Sequence, residues 1–186
     1  ELLRLAKENG VCYLFEASVG GGIPIIRPLY QCLAANELQG ITGILNGTTN
    51  YILSKMKNEG VEFEAALKEA QENGYAEKDP SADIEGHDAC RKIAILSSIA
   101  YNEFVDYNNI YTEGISKITP IDMEYAQQLD SVIKLVAMSK RQDGKIFARV
   151  SPALVHKNHP LSNVEGVFNA IVVKGNAIGE AMFYGR

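Results

Sequence analysis

The chain has 186 residues, 46% of them hydrophobic, and a net charge of −5, which is enough apolar material for one domain of ordinary size and excludes a disordered or fibrous chain. No apolar run approaches the ~20 residues a membrane span needs, and Glu1 to Asn9 lacks the basic-then-apolar layout of a signal peptide. The mild acidity and the scattered Lys and Arg form no basic stripe, so a nucleic-acid role has no footing, and a soluble, cytoplasmic protein that meets small molecules and another copy of itself is expected.

Leu2, Leu3, Leu5 and Ala6 sit at helical spacing, and Asn9-Gly10 stops that helix before the apolar run Val11 to Phe15, which reads as a buried strand. Such a strand belongs beside others, so the chain reads as opening in the middle of an α/β pattern. Gly20-Gly21-Gly22 and Pro24 make a tight loop, after which Ile25, Ile26, Leu29, Leu33 and Ala34 carry a helical stripe. Leu38 to Leu45 reads as a strand ending at Asn46-Gly47. Thr48 or Thr49 is the expected cap of a helix through Tyr51, Ile52, Leu53 and Met56, and Phe63 to Gln71 forms another that stops at Asn73-Gly74.

A longer helix is expected from Asp83 through Ile99. Thr119-Pro120 caps a further one, whose buried face is traced by Met123, Ala126, Leu129, Ile133, Val136 and Ala137 up to a stop at Asp143-Gly144. The last third reads as strands: Ile146 to Val155, Phe168 to Val173 and Glu180 to Tyr184, with a turn at Gly175-Asn176. The fold expected is α+β, a mixed and largely antiparallel sheet with helices covering one face. The chain also reads as ending within a strand, so more protein is expected on both sides.

Cys12, Cys32 and Cys90 are odd in number and far apart, with no CxxC pair, and read as reduced, mostly buried thiols. His87, His156 and His159 show no metal-ligand spacing and read as solvated or capping residues, with His159-Pro160 a turn. Asn46-Gly47-Thr48 matches a glycosylation acceptor, but nothing else points to secretion. Arg91 and Arg149 receive no role.

The densest ionisable cluster runs from Tyr75 to Lys92. Asp88 and Lys92 are four apart, on one face of the expected helix, and Asp83 and Glu85 fall near its first turn. One reading is a solvated, acid-capped helix start with an i,i+4 ion pair. The other begins from Ile93, Ile95 and Leu96, which draw Lys92 inward; a lysine held among carboxylates against apolar surface can act as a general acid or base, while the carboxylates take an ammonium. The second reading suits a small amino acid as ligand.

The run AQENGYAEKDPSADIEGHDACRK, Ala70 to Lys92, resembles the signature of the homoserine dehydrogenases: Ala, Gly four later, Asp-Pro, Asp-Ile, then Gly-x-Asp-x-x-x-Lys. FEASVGGGIPIIRPL from Phe15, GILNGTTNYIL from Gly43, HPLSNVEGVFNAI from His159 and the final GEAMFYGR resemble other segments of that family, so the similarity spans the chain. The resemblance implies residues 1–186 as a substrate-binding and dimerisation domain, with 1–15 the end of a truncated nucleotide-binding domain. It implies Lys92 as the proton-transferring residue, Asp88 and Asp83 as its neighbours at the substrate and its water, and Glu77 as acceptor for the substrate's amino group. Tyr75, Gly47 and Thr48 would contact the amino-acid end.

The same resemblance implies a sodium site made by Glu16 and the carbonyls of Val19, Gly21 and Ile23; inward-turned carbonyls suit a hard cation, although a glycine-rich loop by itself is also an ordinary tight turn. The reaction it implies is the NADP- or NAD-dependent interconversion of homoserine and aspartate 4-semialdehyde, on the route to threonine, methionine and isoleucine, in a homodimer. Gly20-Gly21-Gly22 has the wrong spacing for a dinucleotide fingerprint, so the cofactor is expected to be held outside this chain. The alternative is an amino-acid-binding dimerisation module without catalysis.

Overall fold

The computed structural model describes residues 2–186. Glu1 and the side chains of Leu3 and Lys7 lie outside the described residues, and with them the expected place of Leu3 on an apolar stripe. Among the described residues, six strands form one sheet in the order β2-β4-β3-β1-β5-β6. These are β1 (Leu38–Ile44), β2 (Tyr111–Thr112), β3 (Ser131–Gln142), β4 (Lys145–His156), β5 (Asn169–Gly175) and β6 (Gly179–Gly185). Every pairing is antiparallel except the short β2 against β4. The helices are α1 (Leu2–Glu8), α2 (Gly47–Glu59), α3 (Phe63–Glu72), α4 (Ser81–Ile84), α5 (His87–Tyr101) and α6 (Pro120–Gln128). The expected α+β architecture is the one found.

Register assigns the two faces. Ile133, Leu135 and Ala137 of β3, with their neighbours Ile41, Val150, Ile171 and Val173, join the main core, which α2, α3, α5 and α6 cover. Val136, Ile44, Ala170 and Val172 lie on the other face, where the segment 157–168 covers one end through Leu161 and Val164. Helices therefore cover one face, and the rest of the second carries exposed Phe147, Met182 and Tyr184. Of the apolar residues in the last two strands, Ile171, Val173 and Phe183 are turned into the helical core, whereas Val172 and Met182 face away from it.

Several expectations are corrected. Val11 to Phe15 is not a buried strand: it pairs with none of the six, and Leu14 is 89% exposed. The stripe from Ile25 is wound as a π-helical turn, Pro28–Cys32, with Ile25, Ile26, Leu29 and Leu33 buried but Ala34 exposed. The expected helix from Asp83 is broken at Glu85-Gly86, where Gly86 takes φ +81° and separates α4 from α5. Cys12 and Cys32 are exposed; only Cys90 is buried.

The largest correction lies after Thr119. Its capping box with Asp122 and the following proline start α6 as expected, but α6 ends at Gln128, Leu129 is exposed, and Asp130 enters the left-handed region at φ +50°. Residues 131–142 then form the central strand β3. A strand buried on both faces loses the apolar-polar alternation that identifies strands, so Val132 to Ala137 mimics a helical stripe.

Lys134 is the buried cation of that strand, 1% exposed on the face away from the helices. Its Nζ donates to the Val164 carbonyl (2.5 Å) and to Asn50 Oδ1 (3.2 Å). Burial pushes the Lys134 ammonium down to about 8, partly opposed by Glu165, with the Lys57 charge adding to the depression. The folded chain thus holds this proton less tightly than the unfolded chain, whose lysine titrates near 10.5. Below about pH 8 the charged, buried group costs stability in full, and the cost fades as pH rises towards the ordinary lysine value. Denaturant titrations of the parent and Lys134→Met should therefore show the parent gaining on the variant between about pH 8 and about pH 10; a gap independent of pH would show that Lys134 keeps an ordinary ammonium.

Candidate active site

Strand β1 ends at buried Ile44, buried Leu45 follows, and the next residue, Asn46, begins α2 as its N-cap, not Thr48 or Thr49. Asn46 Oδ1 accepts the Thr49 backbone N–H (2.9 Å) and faces the Thr49 hydroxyl at 3.0 Å. That orientation turns its amide nitrogen towards two carboxylates. Nδ2 donates to Asp83 Oδ1 at 2.7 Å and to Asp88 Oδ2 at 2.9 Å. The same Asp88 Oδ2 lies 2.6 Å from Lys92 Nζ, which also donates to the Leu45 carbonyl at 3.0 Å.

The i,i+4 pair expected from the sequence is therefore present, and it is not a solvated surface bridge. The Lys92 and Asp88 side chains are only 24% and 31% exposed, and both are docked on the end of β1. An ammonium has three donors, and Asp88 and Leu45 take two of them. One N–H is left for a third acceptor.

Lys92, Asp88, Asp83, Tyr75, Gly47 and Thr48 line one cleft of about 450 Å³, together with Asn46, Gly74 and Val167. Thr48 Oγ1 donates to the Tyr75 carbonyl (2.7 Å), which fixes the loop after α3 against the start of α2. The Tyr75 ring leans on Tyr51, 4.9 Å between centroids, and the Tyr51 hydroxyl donates to Glu69, which raises the phenol above its usual range. Glu77 is exposed two residues past Tyr75 and is not among the residues lining the cleft; its carbonyl accepts from Gln71.

Asn46, Gly74 and Val167 are the lining residues to which the sequence assigned no role in the site. Asn46 carries a readable signal, an amide placed where an apolar strand runs into a helix, but Asn46-Gly47 reads equally well as a turn. Val167 has no local signal. It arrives on the segment Val164–Phe168, whose carbonyls at Val164, Gly166 and Phe168 all accept from the Asn50 amide. Gly47 lets that segment close, since a Cβ there would stand 2.7 Å from the Val167 carbonyl oxygen.

In the loop Glu16 to Ile23, the Glu16 carboxylate accepts the N–H groups of Ile25 and Ile26 (2.6 Å each) and Arg27 (2.9 Å), capping the helical turn that follows. Burial raises its pKa, but the three N–H groups outweigh that and hold it below the usual carboxylate range. Among the described residues, no hydrogen bond ends on the carbonyls of Val19, Gly21 or Ile23. Gly22 N–H donates to the Arg186 carbonyl at 2.6 Å, and a Cβ on Gly21 would stand 2.8 Å from that oxygen. These glycines serve the approach of the chain's own backbone. Elsewhere His156 and His159 accept nearby backbone N–H groups, as capping histidines do, and among the described residues no cluster of His, Cys, Asp or Glu could hold a metal ion. No helix among them is long and apolar enough to cross a membrane.

The family model described as homoserine dehydrogenase matches residues 24–186. The homoserine dehydrogenase of Synechocystis sp. is 49% identical over 190 residues, covering all of this chain and 44% of that protein. The crystal structure of a homoserine dehydrogenase from Thiobacillus denitrificans superposes with a TM-score of 0.96 at 46% identity, covering 99% of this chain and 43% of that one. A hyperthermophilic archaeal homoserine dehydrogenase mutant, solved in complex with NADPH, superposes at 0.83 with 36% identity over 99% of this chain and 52% of its own. The chain thus spans less than half the length of the curated relative it matches.

The junction that carries Asp83 is set by a close crossing. Ile115 N–H donates to the Ile84 carbonyl (2.8 Å), and a Cβ on the neighbouring Gly114 would stand 2.2 Å from that oxygen and 2.5 Å from the Glu85 Cα. Backbone cannot yield there as a side-chain tip can. Gly114→Ala should destabilise the domain by about 1–3 kcal/mol, the usual cost of forcing a methyl into packed structure. Equilibrium unfolding of the two proteins measures this; an unchanged midpoint would mean that the junction is free to move.

Proposed function

As this chain belongs to the homoserine dehydrogenase family, we propose that its cleft binds homoserine and aspartate 4-semialdehyde, and that Lys92 exchanges the proton of the reacting oxygen during their interconversion. The observation that carries this reading is the Asp88–Lys92 pair, half-withdrawn from water and facing a small polar cleft with one ammonium N–H uncommitted. A carbonyl oxygen accepting that N–H would receive its proton as negative charge develops on it. In the reverse direction the proton leaves through Lys92 or through a water held by Asp83 and Asp88. The amino-acid end fits Gly47, Thr48 and Tyr75, with an ammonium taken by carboxylate, for which Glu77 stands nearby in sequence.

NADP or NAD supplies or accepts the hydride in this chemistry, in keeping with the NADPH complex of the archaeal relative. The residues of this chain do not fit as its phosphate cradle: the Gly20-Gly21-Gly22 loop is closed against the Arg186 carbonyl. What the chain contributes is the substrate site and the proton chemistry. A sodium ion would suit the carbonyls of Val19, Gly21 and Ile23, with Glu16 as their companion in the loop; its carboxylate already ties the loop to the next turn.

We also propose a homodimer, formed through the sheet face that the helices leave open. Phe147, Met182 and Tyr184 are exposed there beside Val172, and Phe168 stacks on Tyr184 at 5.1 Å. An apolar sheet face in contact with water favours self-association. Light scattering at micromolar concentration should give twice the chain mass, and Met182→Lys with Tyr184→Lys should halve it; a parent of monomer mass removes the dimer.

The test of Lys92 is made in an enzyme of the relatives' full length. Lys92→Ala should lower kcat by ~10²-fold or more, the usual worth of a positioned acid-base group, and leave the fold intact. A bridge of structural value alone would instead cost stability, because Asp88 is left partly desolvated and unpaired, and would spare turnover. Near-normal kcat in a folded Lys92→Ala enzyme takes Lys92 out of the mechanism, and homoserine binding without turnover in the parent would make the cleft a binding module only.

A further inference from the structure

The end of β1 holds both members of the Asp88–Lys92 pair at once. The Leu45 carbonyl takes the ammonium and the Asn46 amide takes the carboxylate, through the same Oδ2 that Lys92 contacts. Asn46 also reaches Asp83, so one amide nitrogen bridges two carboxylates that come from different helices, α4 and α5. Two oxygens on a single nitrogen lie within about 5 Å of each other, a separation at which like charges repel unless something stands between them. The amide cannot be reversed: its oxygen is fixed by the Thr49 N–H, and a flip would set that oxygen against both carboxylates and leave the buried N–H uncapped.

We infer that Asn46 is a positioning residue for Lys92: its amide clamps Asp83 and Asp88 together at the end of β1 and so fixes where the Lys92 ammonium presents its uncommitted N–H. This rests on the proposed function only for its effect on turnover; the clamp itself is a matter of geometry. A cap and a clamp can be told apart, because Asn, Asp and Ser are about equally good N-caps. Serine keeps the bond to Thr49 N–H but is too short to bridge the carboxylates. Aspartate keeps the cap and the size but turns a third carboxylate oxygen on the other two.

The experiment compares Asn46→Ser and Asn46→Asp with the parent in an enzyme of the relatives' full length, by kcat, by thermal midpoint and by crystal structure. If Asn46 is a clamp, Asn46→Ser melts within a few degrees of the parent while kcat falls ~10-fold, and Asn46→Asp loses on the order of 10²-fold, as small misplacements of a reacting group do. In the Asn46→Ser crystal the Asp83 and Asp88 carboxylates separate by roughly 1 Å or more, a displacement large enough to matter for proton transfer. If Asn46 is only a cap, both variants keep parental kcat, and that result overturns the inference. Unmoved carboxylates in the variant crystal also overturn it. A parent without homoserine-dependent turnover would bring down the functional reading instead, and the carboxylate positions would still decide the clamp. Should Asn46→Ser not fold, Asn46→Asp carries the same comparison.

Discussion

A central strand has to stop, and what it does with its last backbone groups decides much of what lies around it. Strand β1 is hydrogen-bonded on both sides, by β3 and β5, and its side chains Ile41 and Ile44 are buried, as is Leu45 just beyond it. Past Ile44 the ladder ends, leaving the Leu45 carbonyl buried and in need of a donor. Lys92 supplies that donor from α5. Satisfying one backbone oxygen thus draws an ammonium into the protein, and an ammonium there needs a counter-charge, which Asp88 provides one turn earlier on the same helix. Asn46, in capping α2, aims its amide at that carboxylate and at Asp83. The candidate site follows from how this strand ends.

The energetics separate this pair from the others. Arg4–Glu8 and Lys68–Glu72 are i,i+4 pairs with both side chains well exposed, and such pairs contribute roughly 0.3–0.5 kcal/mol each. Asp88 and Lys92 have given up most of their water, so each depends on the protein's own donors and acceptors. Removing either leaves the other partly desolvated and unpaired, which is costly. For the same reason the pair is held in one geometry, as a group that exchanges a proton with a bound oxygen requires.

The sequence was legible where local rules govern. The Thr119-Pro120 cap, the stop at Asn73-Gly74, the Gly175-Asn176 turn and the three C-terminal strands depend on neighbouring residues, and they form where the spacing places them. It was illegible where the sheet decides. Ile133 and Leu135 face the helices while Val132, Lys134 and Val136 face the other way, and burial on both faces removed the alternation that would have marked a strand. Val11 to Phe15 failed in the opposite sense: apolar composition suggested burial, but among the described residues no strand pairs with it. For the site, Lys92 and Asp88 were readable from i,i+4 spacing and from the apolar residues after them. Asn46 and Val167 join them only through the packing of α2 against α4, α5 and the segment 164–168.

That packing has a common origin. Asn46 and Asn50 are four residues apart at the start of α2, joined by the Asn50 N–H to the Asn46 carbonyl at 3.2 Å, and so they stack on one side of the first turn. One amide gathers the carboxylates of Asp83 and Asp88; the other gathers the carbonyls of Val164, Gly166 and Phe168, and so fixes the segment that brings Val167 to the cleft. Lys134 stands behind Asn50, bonded to its Oδ1 and to the Val164 carbonyl. The contacts of buried Lys134 and half-buried Lys92 are then different in kind. Lys92 has a carboxylate partner and an N–H to offer, and can therefore take part in proton exchange. Lys134 has only neutral acceptors, and burial weakens its hold on its proton, so its place is structural: it keeps the Val167 wall against Gly47 while Asn46 keeps the charged wall opposite.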